Sequence, residues 1–212
     1  MSIPSKGEIY AALVERHGVE LQKKLVNASV AVCGLGGLGS NISIALARAG
    51  VGKLHIIDYD RVDISNINRQ QYFLEQLGQP KTKALLDTLK RIAPYCEIKT
   101  DNIKLSEDNM KDTLSNEAII VEAFDKPDQK AMLVNYVLEN MPDKYLVAGS
   151  GMAGLAPSNM ITTKRIMKRF YLCGDGVSDV ADDVGLISAR VLICAAHQAH
   201  AVIRIIAGEY EI

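Results

Sequence analysis

The residues that could do chemistry in this chain fall into a few short groups. Residues 34–39 read Gly-Leu-Gly-Gly-Leu-Gly, and Gly34, Gly36 and Gly39 have the G-x-G-x-x-G spacing. In such a turn the first glycine permits the tight bend and the second lets backbone approach a phosphate. The third lets the following helix pack closely on the preceding strand. The N–H groups at the start of that helix then offer partial positive charge to an anion. Asp58 lies 19 residues past Gly39, close to the spacing of an acid that grips a ribose hydroxyl. Next comes a segment rich in amides, acids and cations: Asp60, Asp63, Ser65-Asn66-Ile67-Asn68-Arg69-Gln70, then Gly78-Gln79-Pro80-Lys81. A dinucleotide has no need of Arg69 and Lys81, but a triphosphate does, Arg as a fork and Lys as a point charge. Asp125 follows an apolar strand directly, where an isolated acid can hold Mg²⁺ against phosphates. A Walker A sequence is absent, so the pattern reads as an ATP site of another kind. A nicotinamide-dependent oxidoreductase is the distant alternative, and the cations at 69 and 81 argue against it.

These residues need elements to position them. Apolar periodicity predicts an amphipathic helix over 7–26, a buried strand over 29–33, and a helix from Ser40 to Ala49. A second strand over 53–58 completes a strand–helix–strand unit of about 30 residues. Residues 59–80 read as a long functional loop with short helical pieces. Then follow a helix over 81–92, strands over 98–103 and 118–124, a helix over 131–140 and a strand over 144–149. Residues 157–183 read as an irregular crossover, before a long apolar helix over 185–208. The alternation predicts an α/β, Rossmann-like fold around a mainly parallel sheet, with C-terminal strands and a long C-terminal helix. It is expected as a single unit over 1–212, with 1–28 as an N-terminal helical arm.

Composition narrows the partners. With 212 residues, 48% apolar and 23% charged, the chain can bury a large core. A net charge of −1 provides no basic field, so nucleic acid is not expected as the main partner. The modest cluster Lys164, Arg165, Lys168 and Arg169 reads as a solvated face. No apolar run reaches the length of a membrane span and the first residues lack an apolar signal region, so a cytoplasmic location is expected. The four cysteines, Cys33, Cys96, Cys173 and Cys194, form no C-x-x-C pair, so no zinc is expected. His197 and His200 read as core or interface residues rather than metal ligands.

Taken in order, Gly-Leu-Gly-Gly-Leu-Gly-Ser at 34–40, Ile57-Asp58-Tyr59-Asp60, Ser65-Asn66-Ile67-Asn68-Arg69-Gln70, Gly78-Gln79-Pro80-Lys81 and Phe124-Asp125-Lys126 resemble the ThiF/MoeB/HesA superfamily. The resemblance covers roughly residues 15–208 and leans toward the ThiF branch. It implies ATP-dependent adenylylation of the C-terminal carboxylate of a ubiquitin-like sulfur carrier ending in Gly-Gly, with a homodimeric enzyme. Activation of a molybdopterin carrier, a small molecule or an RNA-borne acid by the same chemistry is the alternative. The resemblance puts phosphates at Gly34, Gly36, Gly37, Gly39, Asn66, Arg69 and Gln70, ribose at Asp58 with Asp60 beside it, and magnesium at Asp125. Lys81 matches the family lysine, with Lys83 as its neighbour. Cys173, in Tyr171-Leu172-Cys173-Gly174, is near the place where ThiF-like enzymes carry a cysteine for acyl or persulfide transfer. It reads either as an exposed loop nucleophile or as an inert thiol. Arg16 is the nearest match to an arginine that the family supplies from the second subunit.

Overall fold

The computed structural model describes residues 3–180 and 184–212. Ser5 caps α1 (Lys6–His17) through a reciprocal bond pair with Glu8. Gly18, at φ +79°, breaks the expected helix 7–26 and starts α2 (Val19–Asn27). Then follow β1 (Ser29–Cys33), α3 (Gly37–Ala49), β2 (Lys53–Ile57), α4 (Lys81–Ile92) and β3 (Glu97–Asp101). The second half adds α5 (Glu107–Thr113), β4 (Ile119–Glu122), α6 (Pro127–Asn140) and β5 (Tyr145–Gly149). It closes with β6 (Thr162–Met167), β7 (Phe170–Gly174) and α7 (Ser188–Ala207).

The seven strands form one sheet in the order β3-β2-β1-β4-β5-β7-β6, with every pairing parallel except the β6–β7 hairpin. This is the expected Rossmann-like α/β fold. The chain leaves β1 toward β2 and β3, then returns to place β4 on the other side of β1. That reversal opens a crevice at the carboxyl ends of β1 and β4, where ligands bind in such sheets.

Alternation along the strands builds the layers. Val30, Val32, Leu54, Ile56, Val121 and Val147 pack against α2, α3, α4 and α7. Ala31, Cys33, Ile57, Ile120, Leu146 and Ala148 face α5 and α6. By length and composition α7 could cross a membrane, contrary to the expectation that no run would qualify; here half of it is buried in the protein as a core helix against α3 and the sheet.

Residues 157–183 are not an irregular crossover throughout. Residues 162–174 form the β6–β7 hairpin, which the polar alternation of Thr162–Arg165 concealed because β6 lies at the sheet edge. Residues 181–183 of that predicted segment lie outside the described residues. The seven-residue α5 has no apolar stripe to announce it. Helix α6 starts four residues before its expected position, with Pro127 in the first turn.

Helix α3 lies very close to the turn that follows β1. A Cβ added to Gly39 would lie 1.8 Å from the Gly34 carbonyl oxygen, so helix and strand meet backbone to backbone. Gly39→Ala should therefore cost ~3 kcal/mol or more of stability, since overpacking a rigid contact cannot relax cheaply. Urea midpoints of the two proteins measure it, and a change below 1 kcal/mol on the order of a surface substitution would contradict the packing role.

Candidate active site

The crevice at the strand ends is a cavity of about 280 Å³. Gly34, Gly36, Gly37 and Leu38 form one wall. Gly34 takes φ +91°, and a Cβ there would meet the Ala123 carbonyl at 2.8 Å, so the turn sits directly on the end of β4. Gly36 precedes α3 without a side-chain cap, which leaves first-turn N–H groups for an anion. Gly39 is off the wall and packs the helix, as the third glycine should.

Asp58 is buried and holds the turn in place. Its Oδ2 accepts the Leu35 N–H at 2.6 Å, and its Oδ1 accepts the Asp60 N–H at 2.7 Å. The neck of loop 59–80 is closed by backbone bonds from Val62 N to Gln79 O and from Lys81 N to Asp60 O, both 2.9 Å. Lys81 thus enters α4 beside the acid pair. It is only 5% exposed, with Nζ 3.1 Å from Asp60 Oδ2 and 3.9 Å from Asp58 Oδ2. Asp58, Asp60 and Lys81 all line the cavity, whereas Lys83 is exposed outside it.

Arg69 and Gln70 complete that side. Arg69 Nη1 donates to Asn68 Oδ1 at 2.8 Å and to the Ser65 carbonyl at 3.3 Å. Gln70 Nε2 donates to Asn66 Oδ1 at 2.7 Å, while Gln70 Oε1 is buried without a protein partner. An orphaned acceptor beside a cavity invites a donor from a ligand. Asn66, which the resemblance put at the phosphates, is next to the wall and accepts from Gln70. Asp125 is exposed on the wall, between β4 and α6.

Two expected residues are elsewhere. Arg16 is exposed on α1, which packs beside Gly50, Gly52 and Cys96 at the amino ends of the strands, so it cannot reach the cavity of its own chain. Cys173 is not in a loop. It lies in β7, fully buried, with Sγ 3.6 Å from Thr163 Oγ1. Burial pushes its thiol up to about 11, against the small lowering from Thr163. A reactive cysteine needs exposure and a depressed pKa, and Cys173 has neither. Burial likewise raises Cys96 to about 11 and Cys194 to about 12.

Several supporting residues escaped the sequence reading. Ser40 and Asn41, in the first turns of α3, bond Gln71, and Asn41 Nδ2 reaches the Arg69 carbonyl at 3.2 Å. The Tyr72 hydroxyl donates to the Leu35 carbonyl at 2.8 Å. These bonds tie the Arg69 segment to the glycine turn; two adjacent polar residues just after the glycines were the available signal. On the far wall, Lys130 Nζ bonds Glu122 Oε2 at 2.6 Å and the Gly149 carbonyl at 2.8 Å. Burial raises the Glu122 carboxyl, and Lys130 opposes that rise. Arg190 and Asp175 form a buried pair at 2.5 Å behind the same wall.

A model described as the ThiF family matches residues 10–212. This chain belongs to the ThiF family. Among curated ThiF-type relatives, it is 35% identical over 142 residues to the adenylyltransferase and sulfurtransferase MOCS3 of Caenorhabditis briggsae, covering 66% of this chain and 35% of that protein. It is 38% identical over 107 residues to the molybdopterin-synthase adenylyltransferase of Salmonella typhimurium, covering 50% and 43%. It is 33% identical over 130 residues to the tRNA threonylcarbamoyladenosine dehydratase of Haemophilus influenzae, covering 60% and 50%. The matches thus span from about a third to half of those relatives' lengths. In fold, the chain resembles Escherichia coli TcdA in complex with ATP at a TM-score of 0.85, with 20% identity over 98% of each chain. It also resembles E. coli MccB with ATP at 0.73, with 20% identity over 99% of this chain and 67% of that one.

The placement of Cys173 makes a measurable statement. At pH 7.5, iodoacetamide should label it in the folded chain at least about 10²-fold more slowly than in urea, because thiolate and access are both lacking. Comparable rates would return Cys173 to the candidates for acyl transfer.

Proposed function

We propose that this chain is an ATP-dependent adenylyltransferase. Its substrate is the C-terminal glycine carboxylate of a ubiquitin-like sulfur carrier of the ThiS type, in thiamine biosynthesis. One observation carries the reading: the glycine turn, Asp58, Asp60, Lys81, Arg69, Gln70 and Asp125 share one cavity. That set has an acid for a sugar, N–H groups and two cations for phosphates, and an acid for a divalent ion. Relatives named adenylyltransferases support it, among them the sulfur carrier protein adenylyltransferase of Thermus thermophilus, 33% identical over 131 residues.

The chemistry follows from the charges. A carboxylate is ionised at neutral pH and needs no general base to attack the α-phosphorus. The carboxylate oxygen bonds to phosphorus as the bond to the bridging oxygen breaks, and pyrophosphate leaves. The barrier is like-charge repulsion and charge migrating onto the leaving group, so preorganised cations supply most of the catalysis. Asp58 orients the ribose while its own bonds to Leu35 and Asp60 keep it fixed. Lys81 and Arg69 meet the phosphate charge, and the first turn of α3 adds N–H donors. Magnesium takes one or two carboxylates plus phosphate oxygens, which an exposed Asp125 on the wall suits; when bound, it neutralises charge on the pyrophosphate. The enzyme is read as a cytoplasmic homodimer, in which Arg16 from a second copy is the arginine to test.

Activation of an RNA-borne acid is the second reading, favoured by the likeness to the Haemophilus protein. The basic cluster gives it little support. Arg165 is engaged by Glu211, and Arg169 by the Asp143 carbonyl and the Tyr145 ring.

The test is incubation with ATP, Mg²⁺ and carriers ending in Gly-Gly, with mass spectrometry for a carrier adenylate. Arg69→Ala and Asp125→Ala should each lower ATP–pyrophosphate exchange on the order of 10²–10³-fold, the usual loss for one preorganised electrostatic partner. Near wild-type exchange in either variant would remove that residue from the mechanism.

A further inference from the structure

With ribose at Asp58 on the end of β2, the phosphates run toward the glycine turn on the end of β1. The part of the cavity over β4, β5 and β7 is left for the group that attacks phosphorus. Gly149 at the end of β5 and Ser150, Gly151, Met152 and Ala153 of the loop after it form that wall, with Ser178, Asp179 and Val180 from the loop after β7. A cavity of about 280 Å³ is at the small end for a ligand site, so a nucleotide fills most of it. Only a thin, extended chain fits in what remains.

One buried side chain holds both loops. Arg190, in the first turn of α7, is 5% exposed. Its Nε donates to the Ala153 carbonyl at 2.9 Å, and its Nη1 to those of Ala156 and Pro157 at 2.5 and 3.1 Å. Its Nη2 reaches Asp175 Oδ2 at 2.5 Å. Asp175 Oδ1 in turn accepts the N–H groups of Val177 and Ser178, both at 2.9 Å. The Ser178 hydroxyl closes the circuit by accepting the Ala153 N–H at 3.1 Å. The two loops are in direct contact, since a Cβ on Gly151 would lie 2.1 Å from Asp175 Oδ1. A buried ion pair adds little stability over an apolar pair of the same shape, but it specifies geometry. Burial works to raise the Asp175 carboxyl, yet the bonds from Ser178, Val177 and Arg190 hold it down at about 2, so the pair stays charged through the working range.

We infer that Arg190 is a positioning residue for the acyl substrate: it sets the loops after β5 and β7 at the spacing that admits an extended C-terminal tail poor in side chains. The inference rests on the proposed adenylation reading. Misplacing a substrate by about 1 Å can cost 10²-fold in rate, and that is the size of effect in question.

The test uses the full chain, ATP binding by calorimetry, and adenylation of a Gly-Gly-ended carrier. Arg190→Met and Asp175→Asn should each leave the ATP dissociation constant within about twofold and lower kcat/KM for the carrier on the order of 10²-fold, mainly through kcat. Arg190→Lys should recover part of the loss, because an ammonium can pair with Asp175 but cannot serve three carbonyls as well. Should Arg190→Met not fold, Arg190→Lys carries the same split. Equal loss of ATP binding and carrier use, or no change in either, overturns the inference. Amide exchange at Val177 and Ser178 adds a readout independent of turnover; unchanged protection in the Arg190 variant overturns it as well. No adenylate from the wild-type chain would instead overturn the carrier reading, an outcome distinct from an active wild type with an unaffected variant.

Discussion

One carboxylate joins the parts on which everything else depends. Asp58 ends β2 and uses both oxygens on backbone: Leu35 in the glycine turn and Asp60 at the mouth of the long loop. The turn, the sheet and the loop that delivers Arg69 and Lys81 therefore meet at one buried group. A charge is expensive to bury unless hydrogen bonds satisfy it, and here they do. The same group then meets solute as an already oriented acid. On the proposed reading, structural and binding roles coincide in one side chain, so its loss would loosen the turn as well as remove a contact.

Much of this was legible in sequence because local physics dictates it. The glycine spacing, the strand ending in Asp58 and the cations at 69 and 81 are short-range patterns, and the structure gathers them on one cavity. Asp125 was legible because β4 is an apolar run that stops abruptly. What escaped depends on contacts far apart in the chain. Cys173 read as an option for chemistry because glycines follow it; only the pairing of β7 with β5 and β6 shows it sealed in the sheet. Arg190 drew no notice in the sequence, and its partners lie 15 to 37 positions away.

The cavity is divided by chemistry. Toward β1 and β2 it is charged and amide-rich, with side chains that are themselves held by other side chains. Toward β5 and β7 it is richer in glycine and backbone, and the loops there are held by Lys130 on the wall and Arg190 behind it. Helix α7 serves both sides, with Val191 against Gly37 at the turn and Arg190 behind the loops. Under the proposed function, the first wall offers the fixed countercharges a polyanion needs and the second faces the peptide-like tail.

The outermost strands behave unlike the inner five. β3 reads Glu-Ile-Lys-Thr-Asp and β6 reads Thr-Thr-Lys-Arg-Ile-Met, both largely open to solvent, whereas β1, β2, β4 and β5 are almost wholly buried. Charged side chains on a free edge discourage another chain from adding a strand. The cluster Lys164, Arg165, Lys168 and Arg169 thus guards the hairpin end of the sheet against aggregation. Both rims of the sheet thus carry charged side chains that disfavour the addition of a further strand.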